Sequence, residues 1–222
     1  YGLKRYINIL SPDDFLDLLD LYSNNKKIEI CCLLEDNFLC FLKSYKGLSY
    51  CIYNYLLYSP YATEEDIKKI YINELKKYKT VTKSDKFHIN NEISKKWYID
   101  LIQDLQQYLQ SNFIKTNLIG YRYTCKEEFN NIVNLKSNII PQFLSLTANP
   151  MLIDKDLHYN SEQNIIIKYL IPKYSKGIVI PDHKQQKNEY EILLPHHTKI
   201  KLLKKDFDTN LQKEIYLAKI EK

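Results

Sequence analysis

The spacing of apolar residues changes period midway along the chain. Up to about residue 110 it follows the helix. Phe15, Leu18, Leu19 and Tyr22 share one helical face behind Ser11-Pro12-Asp13-Asp14. That start is a hydroxyl cap, a Pro in the first turn, then acids facing the positive end of the dipole. Further helical stretches are expected over residues 31–42 and 46–58, the second stopped by Pro60. Thr63-Glu64-Glu65-Asp66 opens a fourth helix with Ile67, Ile70, Tyr71, Leu75 and Tyr78 inward. Residues 79–91 are polar and read as a loop. Residues 92–109 predict a long amphipathic helix carrying Ile93, Trp97, Leu101, Leu105 and Tyr108 on its apolar side.

Beyond that point the period drops to two. Short β-rich runs at 117–124, 139–147, 164–171, 177–180, 190–194, 198–203 and 214–220 alternate with turns. Ile200 and Leu202 against Lys199 and Lys201 is a clear alternation. Thr124-x-x-Glu127 has the form of a capping box, which predicts a short helix after the first strand. The pattern implies an α+β fold in one domain, with a helical lobe (1–112) packed on a mixed β-sandwich lobe (113–222).

Charge and cysteine usage narrow the function classes. The net charge is +5, but the lysines are spread along the whole chain, as on a solvated surface. No finger, RNP or basic-helix pattern occurs, so no nucleic-acid partner is expected. No apolar run is long enough to span a bilayer. Cys31, Cys32, Cys40, Cys51 and Cys125 are odd in number and form no CxxC pair. They read as buried free thiols in a reducing compartment, with no metal site. The first residue is Tyr1, so a fragment or processed product is expected and the lack of a leader carries no weight. Arg5 and Arg122 are the only arginines among 32 basic residues. Arg122 therefore stands out as a place where a planar, two-pronged donor is needed.

Three pieces of the β half carry candidate chemistry: Gly120-Tyr121-Arg122-Tyr123, then Phe143-Leu144-Ser145-Leu146-Thr147-Ala148-Asn149-Pro150, then Asn188-Glu189-Tyr190-Glu191-Ile192-Leu193-Leu194-Pro195. Each alone is weak, since strand Arg, Ser-x-Thr and Glu-x-Glu are common on solvated faces. Their order is specific. Arg, then an aromatic-flanked Ser-x-Thr, then Glu-x-Glu running into Leu-Leu-Pro resembles the arginine–serine–glutamate branch of the mono-ADP-ribosyltransferase exotoxins. Tyr45, Tyr50 and Asn54 resemble a Tyr-x4-Tyr-x3-Asn pattern on the NAD-facing helix of the enzymatic components of binary actin-modifying toxins.

The resemblance implies an ADP-ribosyltransferase-like fold and NAD as co-substrate, without a metal. Glu191 matches the catalytic glutamate that grips the ribose 2′-hydroxyl, and Ser145 the serine that holds it. Glu189 matches the acid that accompanies arginine acceptors. Arg122 would support the NAD phosphates, the backbone of Tyr123 would meet the nicotinamide amide, and Thr147 keeps the last hydroxyl of the family's Ser-Thr-Ser. Leu146 replaces its middle hydroxyl. Tyr45, Tyr50 and Asn54 would line the adenosine side. The implied partner is a host protein with an exposed arginine, actin being the family habit, and a translocation component would deliver the chain. It would be secreted or delivered to act in the target-cell cytoplasm. An inactive docking domain and an NAD glycohydrolase are the competing readings. His196 and His197 are expected to face solvent in a turn.

Overall fold

The computed structural model describes residues 50–75, 95–134, 138–149, 165–180, 190–208 and 213–222. The expected helices before residue 46, the 79–91 loop, Tyr45 and Glu189 lie outside these residues. Among the described residues, 50–108 and 109–222 fall in two compact units.

In the helical unit, α1 (Tyr50–Tyr58) buries Ile52, Tyr53 and Leu56. α2 (Glu64–Leu75) starts as predicted. The Thr63 hydroxyl accepts from the Asp66 amide at 3.2 Å, and Asp66 Oδ2 accepts from the Thr63 amide at 2.9 Å, a reciprocal cap. α3 (Lys95–Ser111) forms, but its buried stripe is Tyr98, Ile102, Leu105 and Leu109. Trp97, expected inward, is 46% exposed and packs edge-on against Tyr98 with ring centroids 4.9 Å apart. The stripes beginning at 97 and at 98 both have helical spacing and share Leu105. Burial of Tyr98 against Tyr53 belongs to the second.

The larger unit is built on β1 (Leu118–Thr124), α4 (Lys126–Asn134), β2 (Ile139–Ile140), β3 (Leu144–Thr147), β4 (Ile165–Ile171), β5 (Ile178–Ile180), β6 (Glu191–Leu194), β7 (Thr198–Asp208) and β8 (Lys213–Ile220). The strand expected over 139–147 is two strands, because Pro141 cannot donate to a ladder. The eight strands form one hydrogen-bonded sheet in the order β2-β7-β8-β4-β1-β3-β6-β5. Its pairs are antiparallel except β4 with β8.

Two short connections force this sheet to fold back on itself. Ile140 to Leu144 and Leu194 to Thr198 are each four residue steps, a reach of at most ~15 Å. In a flat sheet each connection would have to cross five strand spacings, about 24 Å. The two ends must therefore approach one another. The main core shows the result: Ile140 and Ile200 from one end pack in the same cluster as Leu144 and Leu194 from the other. The expected sandwich is realised as a single curled sheet.

Candidate active site

Register alone brings three of the predicted residues together, Ser145, Thr147 and Glu191. Thr147 on β3 pairs with Glu191 on β6, and Ser145 with Leu193. Paired residues share a face, so Ser145 is a diagonal neighbour of Glu191, within reach of a long side chain. The Ser145 hydroxyl donates to Glu191 Oε1 at 2.6 Å. Glu191 is 6% exposed. Just before it, Tyr190 takes a left-handed φ of 43° and its carbonyl accepts from the Ala148 amide at 3.0 Å. This strained residue ties the entry of β6 to the exit of β3. Thr147 lies opposite Glu191, and its hydroxyl accepts from the Asn149 amide at 3.1 Å.

Arg122 reaches the same strand by another route. Alternation along β1 sends it to the face opposite Tyr121 and Tyr123. Its Nη1 donates to the backbone carbonyl of Ser145 at 3.0 Å, while the hydroxyl goes to Glu191. Nε and Nη2 both donate to Glu128 Oε1, at 3.2 and 2.6 Å. Glu128 on α4 was not anticipated. It also accepts from the Thr124 hydroxyl at 2.7 Å and the Gln142 amide at 3.3 Å. Burial alone would raise its pKa, but the Arg122 charge and these hydrogen bonds outweigh burial and hold the carboxyl below the usual carboxylate range. The expected Thr124–Glu127 box is displaced by one residue: Glu128 takes the Thr124 hydroxyl, and the Cys125 sulfur accepts from the Glu128 amide.

Arg122 is thus a brace. Its guanidinium is paired with Glu128 and fastened to the strand that carries Ser145. The β1–β3 ladder holds one residue pair, Tyr121 with Thr147. Past it, the Arg122 side chain takes the Ser145 carbonyl.

The shared face carries more than the predicted residues. Glu191 pairs Thr147, Thr147 pairs Tyr121, Tyr121 pairs Lys168, and Lys168 pairs Leu217. These side chains form one row across five strands. Lys168 is the single partly exposed residue of β4 and sits three strand spacings, about 14 Å, from Glu191. Tyr123, in the adjacent row, has the Lys213 ammonium 4.4 Å from its ring centroid. In the helical unit, Tyr50 and Asn54 stand one turn apart on α1, and Asn54 Oδ1 is buried with no hydrogen-bond partner. Of the two histidines, His197 is exposed as expected, whereas His196 is half-buried. Among the described residues no group of three or more His, Cys, Asp or Glu forms a metal site.

No family model matches the chain. An NAD(+)–arginine ADP-ribosyltransferase of Enterococcus faecalis is 28% identical over 111 residues, which is 49% of this chain and 22% of that protein. The chain spans about a fifth of the length of that curated relative. Solved structures match it almost end to end. The ADP-ribosylating toxin BECa of a binary enterotoxin of C. perfringens, solved with NADH, gives a TM-score of 0.56 at 18% identity over 97% of this chain and 50% of that one. An ADP-ribosyltransferase from Clostridium botulinum gives 0.55 at 12% identity, over 98% of this chain and 99% of that one. A protein of S. aureus solved with NAD gives 0.53 at 14% identity, again over 98% and 99%. The chain has the fold of the ADP-ribosylating toxins and, over half its length, sequence likeness to an NAD(+)–arginine ADP-ribosyltransferase.

Proposed function

We propose that the chain is an NAD-dependent mono-ADP-ribosyltransferase that modifies arginine on a target protein. The observation that carries this reading is the 2.6 Å bond from the Ser145 hydroxyl to Glu191. It holds one carboxylate on a sheet face that runs to a lysine. Breaking the bond between C1′ of the ribose and nicotinamide leaves positive charge on the sugar, while nicotinamide departs with the bonding pair. A carboxylate held beside the ribose stabilises that charge without having to reorganise.

The likeness to the Enterococcus protein supports arginine as the acceptor. A guanidinium is protonated and a poor nucleophile. Glu189, two residues before Glu191 in sequence, takes a proton from it as its nitrogen attacks C1′. Lys168, three strands along the same face, supplies positive charge for the anionic part of the dinucleotide. Arg122, already balanced by Glu128, contributes mainly by shaping β3. Tyr123 borders the nicotinamide side, and Tyr50, Asn54 and Tyr45 the adenosine side. The acceptor is a host protein with an exposed arginine, met in the target-cell cytoplasm after secretion or delivery.

Incubation with biotin-labelled NAD and host lysate, followed by mass spectrometry of the labelled residue, tests this reading. Wild type is expected to label arginine. Glu191→Gln abolishes both labelling and NAD cleavage. Glu189→Gln loses transfer and keeps residual cleavage. Full labelling by Glu191→Gln overturns the assignment, and NAD cleavage without any labelled protein replaces transferase by glycohydrolase.

A further inference from the structure

We propose that the turn joining β4 to β5, together with the segment leading into β1, is a docking surface for anionic lipid headgroups. Three contacts make the two segments one rigid tip. The Tyr174 amide donates to the Ile114 carbonyl at 2.7 Å, Ile114 to Ser175 at 2.9 Å, and Gly177 to Asn112 at 3.1 Å. Phe113 and Lys176 form a β-bridge. Two aromatic rings project from this tip: Phe113 is 48% and Tyr174 59% exposed.

Each ring carries ammonium groups. Lys176 Nζ lies 3.8 Å from the Phe113 centroid, and Lys173 and Lys222 lie 4.8 and 5.9 Å from that of Tyr174. Lys115 is exposed on the same segment. Few acids flank these lysines along the chain. No Asp or Glu occurs between Asp104 and Glu127, or between Glu162 and Asp182, and Glu221 is the one acid beside these lysines in sequence. The bland reading, a solvated lysine face, does not explain the rings or their backbone. Tyr174 holds a left-handed φ of 69°, a conformation that costs a bulky residue energy and suits glycine. Its ring is not buried in return. A strained aromatic kept outward contributes to something other than the core.

The partner follows from the shape and charge of the tip. Rings projecting from a tight turn grip no groove and bury themselves best in a broad interface. Aromatic rings at headgroup depth beside lysines that reach back to phosphate are the usual pattern of interfacial anchoring. Each lysine near an anionic surface adds roughly fivefold in binding. None of these residues belongs to the row carrying Glu191, so the surface stands apart from the proposed transferase site.

The test is flotation of the full chain with phosphatidylcholine vesicles that contain, or lack, about one-third phosphatidylserine. Binding is expected on the anionic vesicles alone and falls with added salt. Lys173→Gln and Lys176→Gln each weaken it about fivefold, and Phe113→Ser and Tyr174→Gly by at least as much. Tyr174→Gly also removes the backbone strain, so its thermal midpoint stays level or rises. That separates lost binding from misfolding. Equal binding to neutral vesicles, or wild-type binding by Tyr174→Gly, overturns the proposal. So does binding of the same lysines to soluble polyglutamate with no vesicle binding, which assigns the tip to an acidic protein instead.

Discussion

At the scale of single residues, Ser145 carries two duties with two different atoms. Its hydroxyl holds Glu191 and its carbonyl holds Arg122. Ser145→Ala removes the first and leaves the second. A hydrogen bond to a charged group contributes about 1.5–3 kcal/mol. If it is fully expressed in the transition state, kcat for NAD cleavage falls about ten- to a hundredfold with KM little changed. Steady-state kinetics on purified variant and wild type check this, and a loss confined to KM refutes the positioning role. Tyr169 provides a contrasting case. Its ring is fully buried in the main core, and its hydroxyl has no hydrogen-bond partner. Burial pushes its pKa up, so it stays neutral. Removing an unpaired polar atom relieves a desolvation penalty. Tyr169→Phe is therefore expected to leave stability unchanged or raise it by about 1 kcal/mol, read as a shift in urea midpoint. A loss of that size instead would reveal an internal water bound to the hydroxyl.

At the scale of elements, strands were legible because alternation and burial agree there, and β4, β6 and β8 fall within a residue of expectation. α2 was legible because its cap is written in four consecutive residues. The rotation of α3 was not, since two apolar stripes overlap on it and packing against Tyr53 decides between them. The Arg122–Glu128 pair was hidden for a related reason. Its partners sit on a strand and on the following helix, so no periodicity links them. Lys168 did leave a signal, a lone charge inside Ile-Ile-Ile-Lys-Tyr-Leu-Ile, but its meaning needs the register of three strands. The Glu128 pair also yields a prediction. Its folded-state pKa lies below the unfolded value of about 4.3. The native state therefore binds fewer protons there. The resulting stability is complete above that pH and is lost as pH falls through the folded value. Glu128→Gln is expected to cost about 3 kcal/mol at neutral pH by removing the carboxylate charge that faces Arg122. It should also flatten the acid limb of the stability curve below about pH 4.3. Chemical denaturation across pH checks both.

At the scale of the molecule, the curl of the sheet depends on its two short connections, and these touch. His196, in the second connection, packs edge-on against Phe143 in the first, with ring centroids 5.3 Å apart. The His197 amide donates to the Ile140 carbonyl at 2.7 Å, and His197 itself holds a left-handed φ of 62°. The two Nδ1 atoms stand 3.0 Å apart. One must donate and the other accept, so both rings cannot carry an Nδ1 proton and keep the contact. Burial, and then the neighbouring His197, lower the His196 pKa to about 4. In the unfolded chain it lies near 6.5. Between those values the unfolded state binds the proton and the native state does not, so stability rises with pH across the window. The contribution is complete above about pH 6.5 and is lost as pH falls towards the folded value. Because the ring is half exposed, screening reduces the effect to about 1 kcal/mol. His196→Gln keeps a polar side chain in the turn and removes the titration. Its stability should track wild type at neutral pH, after a constant offset, and decline less between about pH 6.5 and pH 4. The Glu128 effect sets in at the lower edge of this window, so the double variant should show the two changes one after the other along one curve. If His196→Gln and wild type stay parallel through the upper segment, the joint between the two ends of the sheet does not sense acid through this histidine.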